Sequence, residues 1–302
     1  MKKIILFSMM AVFFWLNVPL CVFAEETALT KTLEITKNDI AGKAYFLPNF
    51  ELGGARVNVI RSIDNETVIK VVVTYYESGP EPSLETEISG TGDAYFYADF
   101  VSGYDDNLFS WNSSQKMQIW DISIGTFGID TKLRIAGGGI IAEAIDFGGL
   151  PLTYLELMLG GAAVDIDFSV PTTRQLKDIF IQCGGGILEL SNIGNTDFEN
   201  FSLMGGGMIS ILDFNGTYSG ERHDAIITAA GSMNTLIFPD NAGVKAGTLS
   251  IASAIFTSGN DWENEVIFPF VSSVYQTEDY NDEAVKLFFD IITVGSVLVL
   301  ER

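Results

Sequence analysis

Carboxylates are the groups in this chain whose spacing could bring chemistry together. Asp165 and Asp167 alternate along one apolar segment, and Glu189 and Asp213 hold similar places in two later segments of the same pattern. If those segments are strands stacked in register, Asp165 falls beside Glu189, and Asp167 lies two rungs from Asp213 in one outward row. Aligned carboxylates can share a Ca²⁺, which binds through oxygen. They can also serve as general acid and base in glycoside cleavage. The third reading, adopted here, is the solvated face of an acidic protein. Further clusters stand at Asp105-Asp106-Asn107 and Asp279-Tyr280-Asn281-Asp282-Glu283, but no Asp-x-Asp-x-Asp-Gly calcium loop occurs.

Nitrogen and sulfur chemistry is sparse. His223 is the single histidine, set in the polar run Ser219-Gly220-Glu221-Arg222-His223-Asp224, and is expected to be a solvated loop residue. Zinc sites and catalytic triads need several such partners. Cys183 follows Ile179 and Ile181 at spacings of two, so it reads as a small buried hydrophobe rather than a nucleophile. The glycine runs are not phosphate loops, because strands rather than helices follow them and no Gly-Lys-Ser or Gly-Lys-Thr occurs. Lyase chemistry on a polysaccharide needs a base near the acids, and the repeats offer only Arg134, Arg174, Lys177 and Arg222. No residue is assigned a catalytic, cofactor-binding or metal-ligating role.

The elements that carry these groups repeat. Gly139, Gly161, Gly185, Gly207 and Gly231 are spaced 22, 24, 22 and 24 residues apart. Such a period is the signature of one supersecondary unit stacked on itself. In the clearest unit, Leu155, Leu157 and Leu159 alternate with Glu156 and Met158. After Gly160-Gly161, Ala162, Val164, Ile166 and Phe168 alternate with Ala163, Asp165 and Asp167. The inward parity flips from odd to even, so the glycines must turn the chain. Later copies are Ile179-Ile181-Cys183 with Leu188 and Leu190, Phe201-Leu203 with Leu212 and Phe214, and Ala225-Ile227-Ala229 with Leu236 and Phe238. The last is Leu287-Phe289-Ile291 with Val294, Leu298 and Leu300. The first, Leu133-Ile135, has a second strand out of phase by about one residue. Like strands of successive units are expected to pair in parallel, and a 3.6-residue helical period does not fit.

Residues 26–115 are strand-like without the clean repeat: Val57 to Ile60, Val68 to Tyr76 and Ala94 to Tyr97 are β-branched or aromatic runs. The polar stretch Asp105 to Gln115 reads as a boundary. Between Gly247 and Ala284 lies an insertion with a hairpin expected about Ser258-Gly259-Asn260-Asp261. The N-terminal region and this insertion are expected to cover the open sheet ends. Tyr95, Phe96, Tyr97, Phe100 and Tyr104, with Trp111, Trp120 and Trp262, serve either as core packing or as a recognition surface.

The chain begins as an export signal does. Lys2 and Lys3 precede an apolar run from Ile4 to Leu16, and Val22-Phe23-Ala24 offers small residues to a signal peptidase. Leu20 is too bulky for lipoprotein processing at Cys21. Cleavage after Ala24 would leave Cys183 alone, and loss of Lys2 and Lys3 would move the net charge from −22 to −24. A surface so acidic repels phosphate backbones and anionic lipids, which excludes nucleic acid as a partner.

The phrases -LELMLGGAAVDIDFSVP-, -IFIQCGGGILEL-, -GGGMISILDFNG- and -IFPDNAGVKA- resemble the toast-rack domain family over residues 120–302, and residues 26–115 resemble the N-terminal extension of some members. The resemblance implies a stacked β-solenoid, an extracytoplasmic location and an adhesin-like role. Related domains end membrane proteins that restrain an envelope-stress sensor kinase, whose several transmembrane helices this chain lacks. The expectation is an all-β protein: signal peptide 1–24, N-terminal β-rich domain 25–115, and toast-rack β-solenoid 116–302. Its expected function is non-catalytic surface or envelope binding or scaffolding. The partner is an envelope polysaccharide or surface protein, and no membrane span remains after signal cleavage. The alternatives are a polysaccharide-processing enzyme using the aligned Asp and Glu, and a soluble modulator of envelope-stress signalling.

Overall fold

The computed structural model describes residues 27–62, 66–92, 94–104, 116–258, 262–268 and 272–302. The expected signal peptide, the Asp105–Gln115 boundary with Trp111, and residues 259–261 lie outside these. Among the described residues there is no α-helix; a short 3-10 turn at Ile193–Thr196 is the one helical element. The first strands are β1 (Ala28–Thr36), β2 (Tyr45–Gly53), β3 (Ala55–Arg61), β4 (Thr67–Tyr76), β5 (Ser83–Ser89), β6 (Tyr95–Val101) and β7 (Gln118–Ile124). The repeating set follows: β8 (Asp130–Gly138), β9 (Ile141–Asp146), β10 (Leu152–Gly160), β11 (Ala162–Asp167), β12 (Asp178–Cys183), β13 (Gly186–Ser191), β14 (Asn200–Gly206), β15 (Met208–Asp213), β16 (Arg222–Ala230) and β17 (Met233–Ile237). The chain continues through β18 (Gly243–Ile251), β19 (Ala254–Ser258), β20 (Trp262–Phe268), β21 (Ser272–Thr277), β22 (Lys286–Val294) and β23 (Val297–Glu301).

These strands form two large sheets, one of eleven strands and one of twelve. The first strand of each repeat joins the twelve-stranded sheet and the second joins the eleven-stranded sheet. Like strands pair in parallel: Leu155, Leu157 and Leu159 of β10 lie against Ile179, Ile181 and Cys183 of β12, and Val164 and Ile166 of β11 against Leu188 and Leu190 of β13. All ten side chains are buried, Cys183 included. Each such leucine or isoleucine stabilises the fold by roughly 1.5–3 kcal/mol on leaving water. The parity flip occurs at the glycines, where Gly139, Gly161, Gly207 and Gly231 have φ of +66°, +62°, +64° and +59°. The phase slip of the first copy is a register shift, in which Val164 opposes Ala142 but Ile166 opposes Ile145.

Both ends depart from chain order. β2 and β6 extend the twelve-stranded sheet in parallel beyond β8, and β3 and β7 extend the other beyond β9, so both sheets run on across residue 116. Antiparallel β5, β4 and β1 follow at that end. At the other end, β22 lies between β16 and β18, and β23 between β17 and β19. β18 and β19 are therefore another two-strand unit, turning at Ala252 (φ +52°) and Ser253 where other units have glycine. The turn expected at Ser258–Asp261 falls largely on residues outside those described; β19 and β20, on either side of it, belong to different sheets. The hairpin is β20 with β21, laid antiparallel on β18.

Two side chains are placed differently from expectation. Val294 is 45% exposed, because the last corner falls at Gly295 (φ +59°) and ends the inward run at Ile291 and Thr293. His223 is buried at 1% exposure rather than solvated. β16 begins at Arg222, so His223 shares the inward parity of Ala225, Ile227 and Ala229.

Candidate functional site

His223 has the surroundings of a packing residue. Its ring meets Phe198 edge-on at 5.3 Å and lies 4.7 Å from the Tyr218 ring. Nδ1 faces the Phe198 carbonyl oxygen, and Nε2 lies 3.2 Å from that of Gly220 and 3.8 Å from Asp197 Oδ1. Asp197 accepts hydrogen bonds from the backbone N–H groups of Ser219 (2.8 Å) and Gly220 (3.1 Å). Burial drives the Tyr218 hydroxyl far above its ordinary pKa, with the charges of Asp213 and Asp197 adding to the effect. This cluster ties the loop before β14 to the loop before β16, and no ring nitrogen reaches open solvent.

The aligned carboxylates occur as read from the sequence. Asp165 opposes Glu189, and the row of Asp167 passes through Ser191, the residue after the last β13–β15 pair, Leu190 with Leu212. On its other side Asp167 opposes Asp146. Several of these groups close turns. Asp146 accepts from the Gly148 N–H (2.8 Å) and the Ser169 hydroxyl (2.6 Å), and Asp213 from the Asn215 N–H (2.9 Å) and side-chain amide (2.7 Å). Asp167 accepts from the Asn192 amide at 2.7 Å. Partial desolvation, then the charge of Asp167, pushes the Asp165 pKa up. Among the described residues, no three His, Cys, Asp or Glu converge to hold a metal ion.

The aromatics divide by parity. Phe96, Phe100 and Trp120 point inward and are buried, with Phe100 stacked on Phe50 at 4.6 Å and 9°. Tyr95 and Tyr97 point outward from the same strand and are half-buried. Tyr95 stacks on Tyr45 of the neighbouring strand at 4.9 Å and 15°, and Tyr97 lies 6.3 Å from Tyr95. Lys132 Nζ stands 5.2 Å from the Tyr45 ring centroid.

Beside the tyrosines, the same face of β2, β6, β8 and β10 carries a polar network centred on Arg134. Its guanidinium donates to Asn49 Oδ1 (2.8 Å) and lies 3.6 Å from Glu51 and 3.7 Å from Glu156. Asn49 in turn donates to Asp99 Oδ1 at 2.9 Å. Tyr154 donates to Glu156 Oε2 at 3.3 Å, and its pKa is raised by partial burial and by the Glu156 charge. Flat rings next to hydrogen-bonding groups of both kinds suit a ligand with apolar faces and hydroxyl edges. Sequence reasoning found Tyr95, Tyr97 and Arg134 separately but not Tyr45, Asn49 or Tyr154. The alternation of Tyr45, Leu47 and Asn49 with Phe46 and Phe50 was the available signal.

No family model and no curated protein matches the chain. Solved structures do. A protein from Clostridium sporogenes ATCC 15579, provisionally named a cell adhesion protein, aligns with 91% of this chain and 100% of its own at 14% identity and a TM-score of 0.46. A provisionally named adhesin from Bacteroides fragilis NCTC 9343 aligns with 91% of this chain and 96% of its own at 9% identity and a TM-score of 0.31.

Proposed function

We propose that the protein is an exported, non-catalytic binding module of the cell envelope or surface, adhesin-like in role, that holds a neutral polysaccharide. The parallel two-strand units are read as coils of a stacked β-solenoid of the toast-rack kind, which makes a stiff floor for an extended ligand. One observation carries the reading: Tyr45, Tyr95 and Tyr97 lie together beside the Arg134 network on one outer face. Sugar rings can stack on the tyrosines while Asn49, Asp99 and Glu156 meet hydroxyl groups. A charge of −22 disfavours polyanionic chains.

The test is affinity electrophoresis of the purified chain in gels containing neutral or anionic envelope polysaccharides. Retardation by a neutral polysaccharide is expected. Tyr97→Ala and Arg134→Ala should each weaken it by about tenfold, the loss of one central contact, and Tyr280→Ala should not. Retardation indifferent to both site variants would move the site elsewhere. Sugar products that vanish with Asp165→Asn or Asp167→Asn would overturn the non-catalytic reading.

A further inference from the structure

Paired residues on neighbouring strands share a face, so outward side chains line up in rows across a sheet. On the twelve-stranded sheet, Asp99 of β6 pairs with Asn49 of β2, Asn49 with Arg134 of β8, and Arg134 with Glu156 of β10. These four polar side chains make one row. Two residues earlier on the same strands stand Tyr97, Leu47, Lys132 and Tyr154, with Tyr97 paired to Leu47 and Lys132 to Tyr154. All of these side chains are half-buried on the outer face. The second row presents two phenol rings, a leucine and the aliphatic stem of a lysine. A hydrogen-bonding row and a largely apolar row thus lie side by side, about 7 Å apart, and both cross the strands.

We propose that this pair of rows seats a flat-ribbon glycan, equatorially linked as in cellulose, mannan or xylan, whose chain axis crosses β6, β2, β8 and β10. The proposal rests on the polysaccharide reading above and adds the direction, linkage class and length of the bound segment. A pyranose ring is apolar on its faces and hydroxylated at its rim. A ring seated over the Tyr97 row therefore brings its rim to the Asp99 row. Strands lie about 4.8 Å apart, close to the advance of one ring in such a ribbon, so successive rings meet successive strands. Three spacings, about 14 Å, separate Tyr97 from Tyr154, and a tetrasaccharide covers them. A starch-like chain coils, and its rings leave that line.

The polar row is held in place by its own bonds. Arg134 donates to Asn49 Oδ1 (2.8 Å), Asn49 to Asp99 Oδ1 (2.9 Å), and Tyr154 to Glu156 Oε2 (3.3 Å). Groups already fixed lose little freedom on binding. The apolar row stops at both ends. Beyond Tyr97 comes Glu87 of β5, and beyond Tyr154 comes Asp178 of β12, both exposed carboxylates. Longer ribbons gain no further ring contact from this row, and an anionic chain would meet like charge at each end. A ligand laid along β6 would instead meet Tyr95, Tyr97, Asp99 and Val101 in single file, with no division into apolar and polar sides.

The experiment is calorimetric titration of the purified chain with cello-, manno- and xylo-oligosaccharides, from disaccharide to hexasaccharide. In at least one series, affinity should rise about tenfold from disaccharide to tetrasaccharide and then stay within about twofold. Malto-oligosaccharides should show no such rise. Tyr154→Ala should abolish the rise and leave disaccharide affinity within about twofold, because a short ligand still sits at the Tyr97 end. Tyr154→Phe should keep the rise, since the ring rather than the hydroxyl seats the sugar. Val101→Ala, on the path along β6, should change nothing. A rise that survives Tyr154→Ala, is lost in Val101→Ala, or is matched by the malto series would overturn the crossing geometry. So would failure of all three ribbon series with a chain that a neutral polysaccharide still retards in the gel. Those results leave the polysaccharide reading in place, whereas failure of every neutral polysaccharide to retard the chain would overturn both.

Discussion

At the scale of single residues, a glycine's role depends on what a Cβ would meet. Gly207 has φ +64° and open space around the missing Cβ, so Gly207→Ala pays only for the left-handed backbone, about 1–2 kcal/mol. Gly186 has φ +109°, and a Cβ there would lie 1.8 Å from the Ala162 carbonyl oxygen. Gly186→Ala must push two paired strands apart and should cost more than about 3 kcal/mol. Asp165→Asn should act in the opposite direction. A carboxyl whose folded pKa is raised opposes folding once it ionises, so its removal should raise the midpoint slightly at neutral pH and leave it unchanged below about pH 3. Urea denaturation of the three variants checks the order, and equal costs at Gly186 and Gly207 would break the steric argument. The corner glycines were legible because a parity flip leaves a mark in sequence. His223 was not, because the polar run around it resembles a linker, and only the strand's start at Arg222 shows that its parity is inward.

At the scale of elements, local pattern named the strands, while long-range pairing decided their order. Nothing in Leu287 to Leu300 announces that β22 and β23 enter between units already made, since their alternation would fit any rung. The same holds for β2 and β3, whose turn at Gly53-Gly54 resembles the other corners although the flanking sequence does not. Among the described residues, a charge pair ties the end of the inserted unit to the turn after β21. Arg302, beyond β23, donates to Asp279 Oδ1 (2.8 Å) and Oδ2 (2.6 Å) and to the Asp240 carbonyl oxygen (2.9 Å). The hydrogen bonds from Arg302 hold the Asp279 pKa below its ordinary value of 3.8, against a smaller opposing effect of burial. A depressed carboxyl pKa gives stability that is present above pH 3.8 and is lost as pH falls through the folded value. Asp279 is partly exposed, so the latch contributes about 1 kcal/mol or less. Asp279→Asn should speed amide exchange in β23 and β19 at pH 7 and make little difference near pH 2. Equal acceleration at both values would mean that the charge pair holds nothing.

For the whole molecule, the apolar core and the acidic surface pull in opposite directions. Buried Leu, Ile, Val and Phe run without a break through both sheets, and Phe214 alone meets Phe198, Phe201, Phe238 and Phe289. Around this core sit 39 carboxylates against 17 Lys and Arg, so the folded state gathers like charges that the unfolded chain would spread. Screening relieves that repulsion, since the Debye length falls from about 30 Å at 0.01 M to about 8 Å at 0.15 M salt. The unfolding midpoint of dilute, monomeric protein should therefore rise across that range and flatten above it, once long-range repulsion is screened. The same term should govern ligand choice. Polyanionic glycans should fail to bind at low salt and gain with added salt, while neutral glycans on the Tyr45–Tyr95–Tyr97 face should be nearly indifferent to it. Calorimetry gives the first measurement and a salt series of affinity electrophoresis the second. A midpoint that falls with salt would mean that local ion pairs outweigh net repulsion, and would remove the basis for predicting a neutral ligand.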